Sequence, residues 1–287
     1  MQTLAQFGFG LALSSLIGYA GYRKKALAPS GVLGAMVVGT LIFGYGGWVW
    51  GLVLITFFIL SSALSYYKGA AKKELSEKFE KGARRDFSQA LANGGAGALI
   101  AVVFAYLIRD PFMVAAFTGA MATVNADTWA TEIGVLSKKP PRLITTGKIV
   151  EPGTSGGISL LGTLATTVGG LIIGIAIAGF SLLDGALGGA SYAQAGLATP
   201  WELLLFLPAA TFGGLLGSLC DSFLGATVQA IYYSPKRKKE TEKKIDADGS
   251  PNQHLRGWVW LNNDWVNFLS SVAGAAGAAV VWSLLVH

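Results

Sequence analysis

The sequence predicts an all-α integral membrane protein of about eight transmembrane helices, and three observations carry the prediction. Of 287 residues, 52% are hydrophobic and only 13% charged, about half the charged share of a soluble chain. The apolar residues lie in long uncharged stretches near the length of a bilayer crossing. The 22 Lys and Arg residues collect in alternate connections between those stretches instead of spreading evenly. A single transmembrane domain over residues 1–287 follows, and disordered, fibrous and soluble-enzyme readings are excluded. The lone cysteine, Cys220, permits no intrachain disulfide.

In chain order the predicted spans are Leu4 to Tyr22, Val32 to Gly46, Trp48 to Tyr67, Ala90 to Ile108, Phe112 to Ala126, Ile158 to Phe180, Leu203 to Cys220 and Trp265 to Val286. The second and fifth fall below the ~17 residues usually needed to cross, so they are expected to be buried, bent or set in locally thinned bilayer. Alternating the connections between two sides puts 21 of the 22 basic residues on one side, with only Arg109 opposite. Because Lys and Arg near span ends mark the cytoplasmic face, both termini are predicted to be non-cytoplasmic. The first span has no basic residue before it and a basic cluster after it, so it is read as retained and not as a cleaved signal. The connection 181–201, rich in Gly, Ala and Ser, reads as translocated. Residues 233–258 mix Lys, Arg, Glu and Asp without apolar period and read as a charged, mobile cytoplasmic loop near anionic headgroups, with a basic nucleotide gate as the sharper reading. The positive charge is thus explained by orientation and calls for no nucleic acid.

Polar residues at span ends fall together on the predicted cytoplasmic face. Asn93 opens the fourth span, Asn125 and Asp127 close the fifth, Thr154 and Ser155 open the sixth, Asp221 closes the seventh, and Asn262, Asn263, Asp264 and Asn267 open the eighth. An unpaired carboxylate or amide at a membrane edge costs several kcal/mol, so such residues face a protein interior, an ion or a wet cavity. Two of them sit in a weak repeat. Gly119 precedes Asp127-Thr128-Trp129 by the interval at which Gly213 precedes Asp221-Ser222-Phe223, on helices running in the same direction. Asp127 and Asp221, with Glu132 as a third candidate, are therefore predicted to hold Mg²⁺, which takes one or two carboxylates and leaves room for phosphate oxygens. The simpler alternative is that each acid caps or hydrogen-bonds a neighbouring helix.

Thr145, Thr146 and Lys148, followed by Gly153, Thr154, Ser155, Gly156, Gly157 and an apolar helix, have the chemistry of an anion cradle: glycine amides, hydroxyls, a positive helix end and a point charge. The pattern is not a Walker loop, and a helix cap with close glycine packing explains it as well. Arg84 and Arg85 before the fourth span suit a second phosphate or plain membrane anchoring. His254 and His287 are poorly placed for catalysis, and no zinc spacing or nucleophile elbow is evident.

Several ordered motifs, D-T-W-A-T-E-I-G at 127–134, P-R-L-I-T-T-G-K at 141–148, G-T-S-G-G-I-S at 153–159, D-S-F-L-G-A-T-V-Q at 221–229 and K-G-A-R-R-D-F-S-Q-A-L-A-N-G-G at 81–95, resemble an integral membrane family formerly of unknown function. That family includes plant and cyanobacterial phytyl-phosphate kinase. The resemblance implies phosphoryl transfer from a nucleoside triphosphate, with CTP the expected donor, to phytyl monophosphate, giving the diphosphate for tocopherol or prenylquinone synthesis. It implies roles for Asp127, Glu132 and Asp221 as acidic motif residues, for Lys148, Thr154, Gly156 and Gly157 in the glycine-rich motif, and for Asn93. The family's G-T-N-G-G pattern has asparagine where this chain has Ser155, a small hydrogen-bonding replacement.

The prediction is a kinase in a bacterial inner or thylakoid membrane, its site facing the cytoplasm. Asp127, Asp221, Glu132 and Lys148 are assigned to chemistry; Arg84, Arg85, Asn93, Thr145, Thr146, Gly153 to Gly157, Asn263 and Asn267 are assigned to binding nucleotide and isoprenoid phosphate. Phosphoryl transfer needs mainly positioning and charge neutralisation, which these residue types supply. The alternative from another class is a carrier or ion-coupled transporter with Asp127 and Asp221 along its path. Against it, the polar residues gather at one face and not at the midplane. A phosphatidyl-type transferase lacks its expected acidic motif.

Overall fold

The computed structural model describes residues 4–66, 84–189, 197, 199–246 and 248–286. Lys68, Lys72, Lys73, Lys78 and Lys81, which entered the charge argument, and residues 190–196 of the 181–201 connection lie outside the described residues. Eight α-helices are seen among those described: α1 Leu4–Arg23, α2 Pro29–Leu41, α3 Gly47–Tyr66, α4 Phe87–Tyr106, α5 Pro111–Gly134, α6 Leu160–Ala186, α7 Phe206–Thr227 and α8 Asn263–Val286. Six segments are long and apolar enough to cross a membrane: α1, the run Pro29–Ser65, α4, α6, Pro200–Thr227 and α8. The chain is thus a helical membrane protein.

The helix starts are written in local chemistry. Asp86 and Gln89 form a reciprocal capping box at α4. Asp110 caps α5 ahead of Pro111, whose fixed φ suits a first turn. Ser159 caps α6 by accepting from the Gly162 amide at 3.1 Å.

Both short spans have a structural reason. α2 ends in a single π-turn, Ile42–Gly46, and the next residue, Gly47, has φ +84°, a conformation glycine adopts without steric cost. The chain doubles back there, since Leu27 before α2 and Ser62 near the end of α3 both touch Arg85. α5 is the central helix: every residue from Met113 to Ala126 is buried. It packs against α3, α4, α6, α7 and α8. Because neighbours shield it, α5 can carry Thr118, Thr123, Asn125 and Asp127, and among the described residues it is the one long helix outside the six apolar segments. Ile59, Leu99, Leu164 and Val280 instead expose apolar side chains outward, as lipid-facing helices do.

The α5–α8 packing is built on small residues. A Cβ on Gly119 would lie 2.4 Å from the Ala278 Cβ, and one on Gly213 would lie 2.7 Å from the Gly274 carbonyl oxygen. Thr123 Oγ1 ties the crossing, donating within reach of the Gly119 carbonyl at 2.9 Å and the Gly213 carbonyl at 3.2 Å. Stacked rings fill the remainder, Trp50 on Phe117 at 4.1 Å and Phe206 on Trp282 at 4.3 Å.

The segment 233–258, read from the sequence as a charged, mobile loop, carries most of a three-stranded antiparallel sheet. After the two-residue strands β1 Arg142–Leu143 and β2 Gly157–Ile158, its strands are β3 Ile231–Ser234, β4 Lys239–Thr241 and β5 Gln253–Arg256, with β3 in the middle. The apolar period is missing because a polar network forms the interior: Ser234 donates to Asp246 at 2.6 Å, and Arg237 pairs with the other Asp246 oxygen. Ser234, Thr241 and Asp246 are all buried. At the exposed end, Lys236 holds the Asp248 carboxyl well below the usual carboxylate range.

Candidate functional site

The basic connections meet at one end of the bundle. The α1–α2 turn bridges Arg85, Ser65 on α3 donates to Glu132 beyond Asp127 on α5, and Ser155 before α6 donates to Gln229 after α7. α4, α6 and α8 start at this end, while α3, α5 and α7 finish there. The opposite end is marked by the Tyr45–Tyr106 contact and by Trp48, whose indole donates to buried Asp184 at 2.7 Å.

A cleft of about 510 Å³ opens at the shared end. Asp127 and Asp221 both line it, and the repeat explains why. Gly119 and Gly213 face each other across the α5–α7 crossing, the Gly119 Cα lying 3.2 Å from where a Gly213 Cβ would sit. Each aspartate lies eight residues further along its parallel helix, a climb of about 12 Å at 1.5 Å per residue, so the carboxylates reach matching depth. Ser218 on α7 lines the cleft beside them. Asp221 accepts a 3.4 Å contact from Ser270 on α8 and lies within electrostatic reach of Asp127 and of Glu242 on the sheet side.

Facing the acids is the glycine-rich loop. Gly153 to Gly157 all line the cleft. Gly153 and Gly156 have φ of +79° and +82°, and a Cβ on Gly156 would come within 2.7 Å of Ala226 backbone atoms on α7. Glycine is required there on both counts. The two-residue strands Arg142–Leu143 and Gly157–Ile158 clamp the loop base, and the Ile144 amide donates to the Gly156 carbonyl at 3.0 Å. Two loop amides are used internally, Thr154 to Glu151 and Gly157 to Thr154, so the loop is not an open nest of five donors. Arg256 on β5 bonds the Gly225 and Ala226 carbonyls at 3.1 and 3.0 Å, joining sheet to helix end. Burial pulls its guanidinium below the usual arginine value. Three helix N-termini converge here through Gln89, through Ser159 with Thr163, and through Asn263 with Asp264, giving the cleft the positive ends that suit anions.

The predicted residues divide. Asp127, Glu132, Asp221, Arg85, Gly153, Thr154, Ser155, Gly156, Gly157 and Asn263 line the cleft. Thr145, Thr146 and Lys148 instead occupy an exposed hairpin tip outside the lining, because the chain reverses at Gly147, φ +68°. Lys139 lines the cleft where Lys148 was expected. Asn93 and Asn267 bond each other at 3.3 Å across α4 and α8, outside the lining. Arg84 lies over the Tyr22 ring, its guanidinium 5.9 Å from the centroid. Among the described residues no three acids or histidines form a metal-holding group, so Glu132 does not complete a cluster with the two aspartates. Five residues after Asp127, it points to a different side of α5 and accepts from Ser65 at 2.7 Å. Residues missed in the sequence include Thr128 and Ser222, each the hydroxyl directly after a repeat aspartate, and Ser218, Gln89 and Glu242. The D-[ST] half of the repeat carried the signal for the first two.

Residues 12–275 match the family described as Integral membrane protein DUF92. The chain is 33% identical over 285 residues to Protein PGR of Arabidopsis thaliana, covering 94% of each. It is 30% identical over 287 residues to an uncharacterized membrane protein of Methanocaldococcus jannaschii, covering 99% of this chain and 98% of the other. To the chloroplastic Protein VTE6 of Arabidopsis thaliana it is 25% identical over 265 residues, covering 91% of this chain and 67% of that one. No solved structure matches.

Proposed function

The chain belongs to the DUF92 integral membrane family, and we propose that it is a membrane phosphotransferase that phosphorylates an isoprenoid monophosphate. The observation that carries the reading is one cleft in which a duplicated glycine–aspartate element sets two carboxylates opposite a glycine loop and three helix N-termini. The resemblance to phytyl-phosphate kinase and the similarity to VTE6 point to tocopherol or prenylquinone synthesis, with CTP the expected donor.

The residues fit magnesium shared with substrate phosphates, and they do not fit an all-protein cage. Two carboxylates with Thr128, Ser218 and Ser222 hydroxyls nearby form a hard oxygen set, and phosphate oxygens complete what protein does not supply. Asp127 and Asp221 would hold the ion, which when bound neutralises charge on the transferring phosphoryl group. The glycine loop and the Ser159 end of α6 hold the triphosphate, while Arg85 and Gln89 receive the acceptor phosphate. An acceptor oxygen bonds to the terminal phosphorus as the bond to its bridging oxygen breaks, giving isoprenoid diphosphate and nucleoside diphosphate. The acceptor is already anionic, so no general base is needed. Positioning and charge neutralisation do the rest. The cleft faces the cytoplasm in this reading, in line with the basic connections at that end.

Protein purified in detergent, incubated with phytyl or geranylgeranyl monophosphate, Mg²⁺ and each nucleoside triphosphate in turn, is expected to form the diphosphate with at least one donor. No product with any donor would overturn the reading in favour of a carrier.

A further inference from the structure

Beside the polar cleft lies a second cavity of a different kind. It is a groove of about 80 Å³ enclosed by α1, α2, α3 and the start of α4, with an almost wholly apolar wall that includes Ile17, Ala35, Leu54, Phe57 and Phe58. One charged residue lines both spaces, Arg85. Its backbone is fixed from both sides, its amide donating to Ala26 at 3.0 Å and its carbonyl accepting from Ala28 at 2.9 Å. A Cβ on Gly31 would press 2.1 Å from that carbonyl oxygen, so the α1–α2 turn fits closely over it. The side chain reaches the other way. Its guanidinium donates to Ser62 at 3.2 Å and lies 5.9 Å from the centre of the Phe57 ring.

A fixed cation between a polar cleft and an apolar groove matches a molecule with a phosphate at one end and hydrocarbon directly behind it. We propose that the groove between α1, α2, α3 and α4 seats the proximal isoprene units of the lipid phosphate, and that Arg85 grips its phosphate at the boundary. The assignment rests on the phosphotransferase reading for the chemistry, but it makes its own claim about where the chain lies. The groove volume is roughly half that of an engineered apolar cavity of about 150 Å³ that accepts benzene. It therefore takes the branched start of a chain, and the remainder passes out between helices into lipid. The crossing of α5, α7 and α8 is closed by Gly119, Gly213 and Gly274.

The test is photolabelling of the full-length protein with geranylgeranyl monophosphate carrying a diazirine on its second isoprene unit, read by peptide mass spectrometry. Labels on Ile17, Leu54 or Phe58 are expected. Unlabelled geranylgeranyl monophosphate should displace them, whereas geranylgeraniol or inorganic phosphate should not. Arg85→Gln should weaken labelling by about tenfold, with Arg85→Lys retaining part of it, because a charge-assisted hydrogen bond is lost. Ala35→Leu, which narrows the groove, should reduce labelling by geranylgeranyl monophosphate more than by a five-carbon isopentenyl monophosphate probe. Labels on the outer faces of α7 and α8, labelling unaffected by both Arg85→Gln and Ala35→Leu, or equal displacement by phosphatidic acid would each overturn the proposal. Groove labelling without turnover would count against the kinase reading alone. Turnover without groove labelling would count against the groove alone.

Discussion

The two halves of the bundle use their glycines differently. In α5 to α8, glycine backbones touch: Gly119, Gly213 and Gly274 leave no room for a methyl group, and buried Thr123 ties α5 to α7. In α1 to α4, glycines are covered mainly by side chains, Gly10 by Phe43, Gly39 by Ser14 and Gly94 by Val38, and the helices leave an apolar groove between them. Close backbone approach locks relative height, which two carboxylates on separate helices need if they are to serve one ion. A looser apolar wall suits a flexible hydrocarbon, for which contact area matters more than register. In the proposed reading the polar chemistry sits on α5 to α8 and the start of the lipid chain on the other half.

The largest expected effect lies on α5 to α8. Asp127→Asn or Asp221→Asn should lower kcat about a thousandfold, the several kcal/mol that a metal-holding group supplies, with circular dichroism and elution volume unchanged. Near-normal turnover in both would break the assignment of chemistry to α5 and α7. Next comes packing. Gly213→Ala should lower unfolding stability by about 1–3 kcal/mol, because the added methyl meets the Gly274 carbonyl and Ala278. The same change at Gly8 on α1, where nothing lies within 4 Å, should be neutral or stabilising by about 0.5 kcal/mol. Equal responses at the two sites would remove the close packing of Gly213 as the cause; thermal melts in one detergent measure both. Arg256→Ala should cost about 1 kcal/mol by freeing the Gly225 and Ala226 carbonyls, and should lower affinity for nucleotide through the adjoining glycine loop. The smallest effect is expected for Lys148→Ala, less than about twofold in kcat/KM, because its hairpin tip lies outside the cleft. A loss as large as that of the aspartate variants would return Lys148 to the chemistry.

These contrasts also explain what could be read from the sequence. The repeat of Gly119 to Asp127 and Gly213 to Asp221 was legible because an eight-residue interval on parallel helices fixes height and direction together. The convergence of Gly153 to Gly157 with Asp127 and Asp221 followed from charge alternation, which sends the connections around 127–157 and 233–264 to one end. Lys148 lies outside the cleft lining because a reversal at Gly147 separates it from the glycine loop that follows in sequence. Residues 233–258 hid their strands because Ser234, Thr241 and Asp246, all polar, occupy the interior and leave no hydrophobic alternation. The groove beside Arg85 was invisible for a further reason. It depends on α1 and α3 approaching one arginine from sites distant along the chain, and no spacing encodes that.

The central claim is that Asp127 and Asp221 act together on one divalent ion with a nucleotide phosphate. Electron paramagnetic resonance of Mn²⁺, titrated into the purified protein with CTP present, addresses it directly. Tight protein-bound Mn²⁺ is expected in the wild type and should be lost in both Asp127→Asn and Asp221→Asn. Undiminished binding in the two variants would contradict the account.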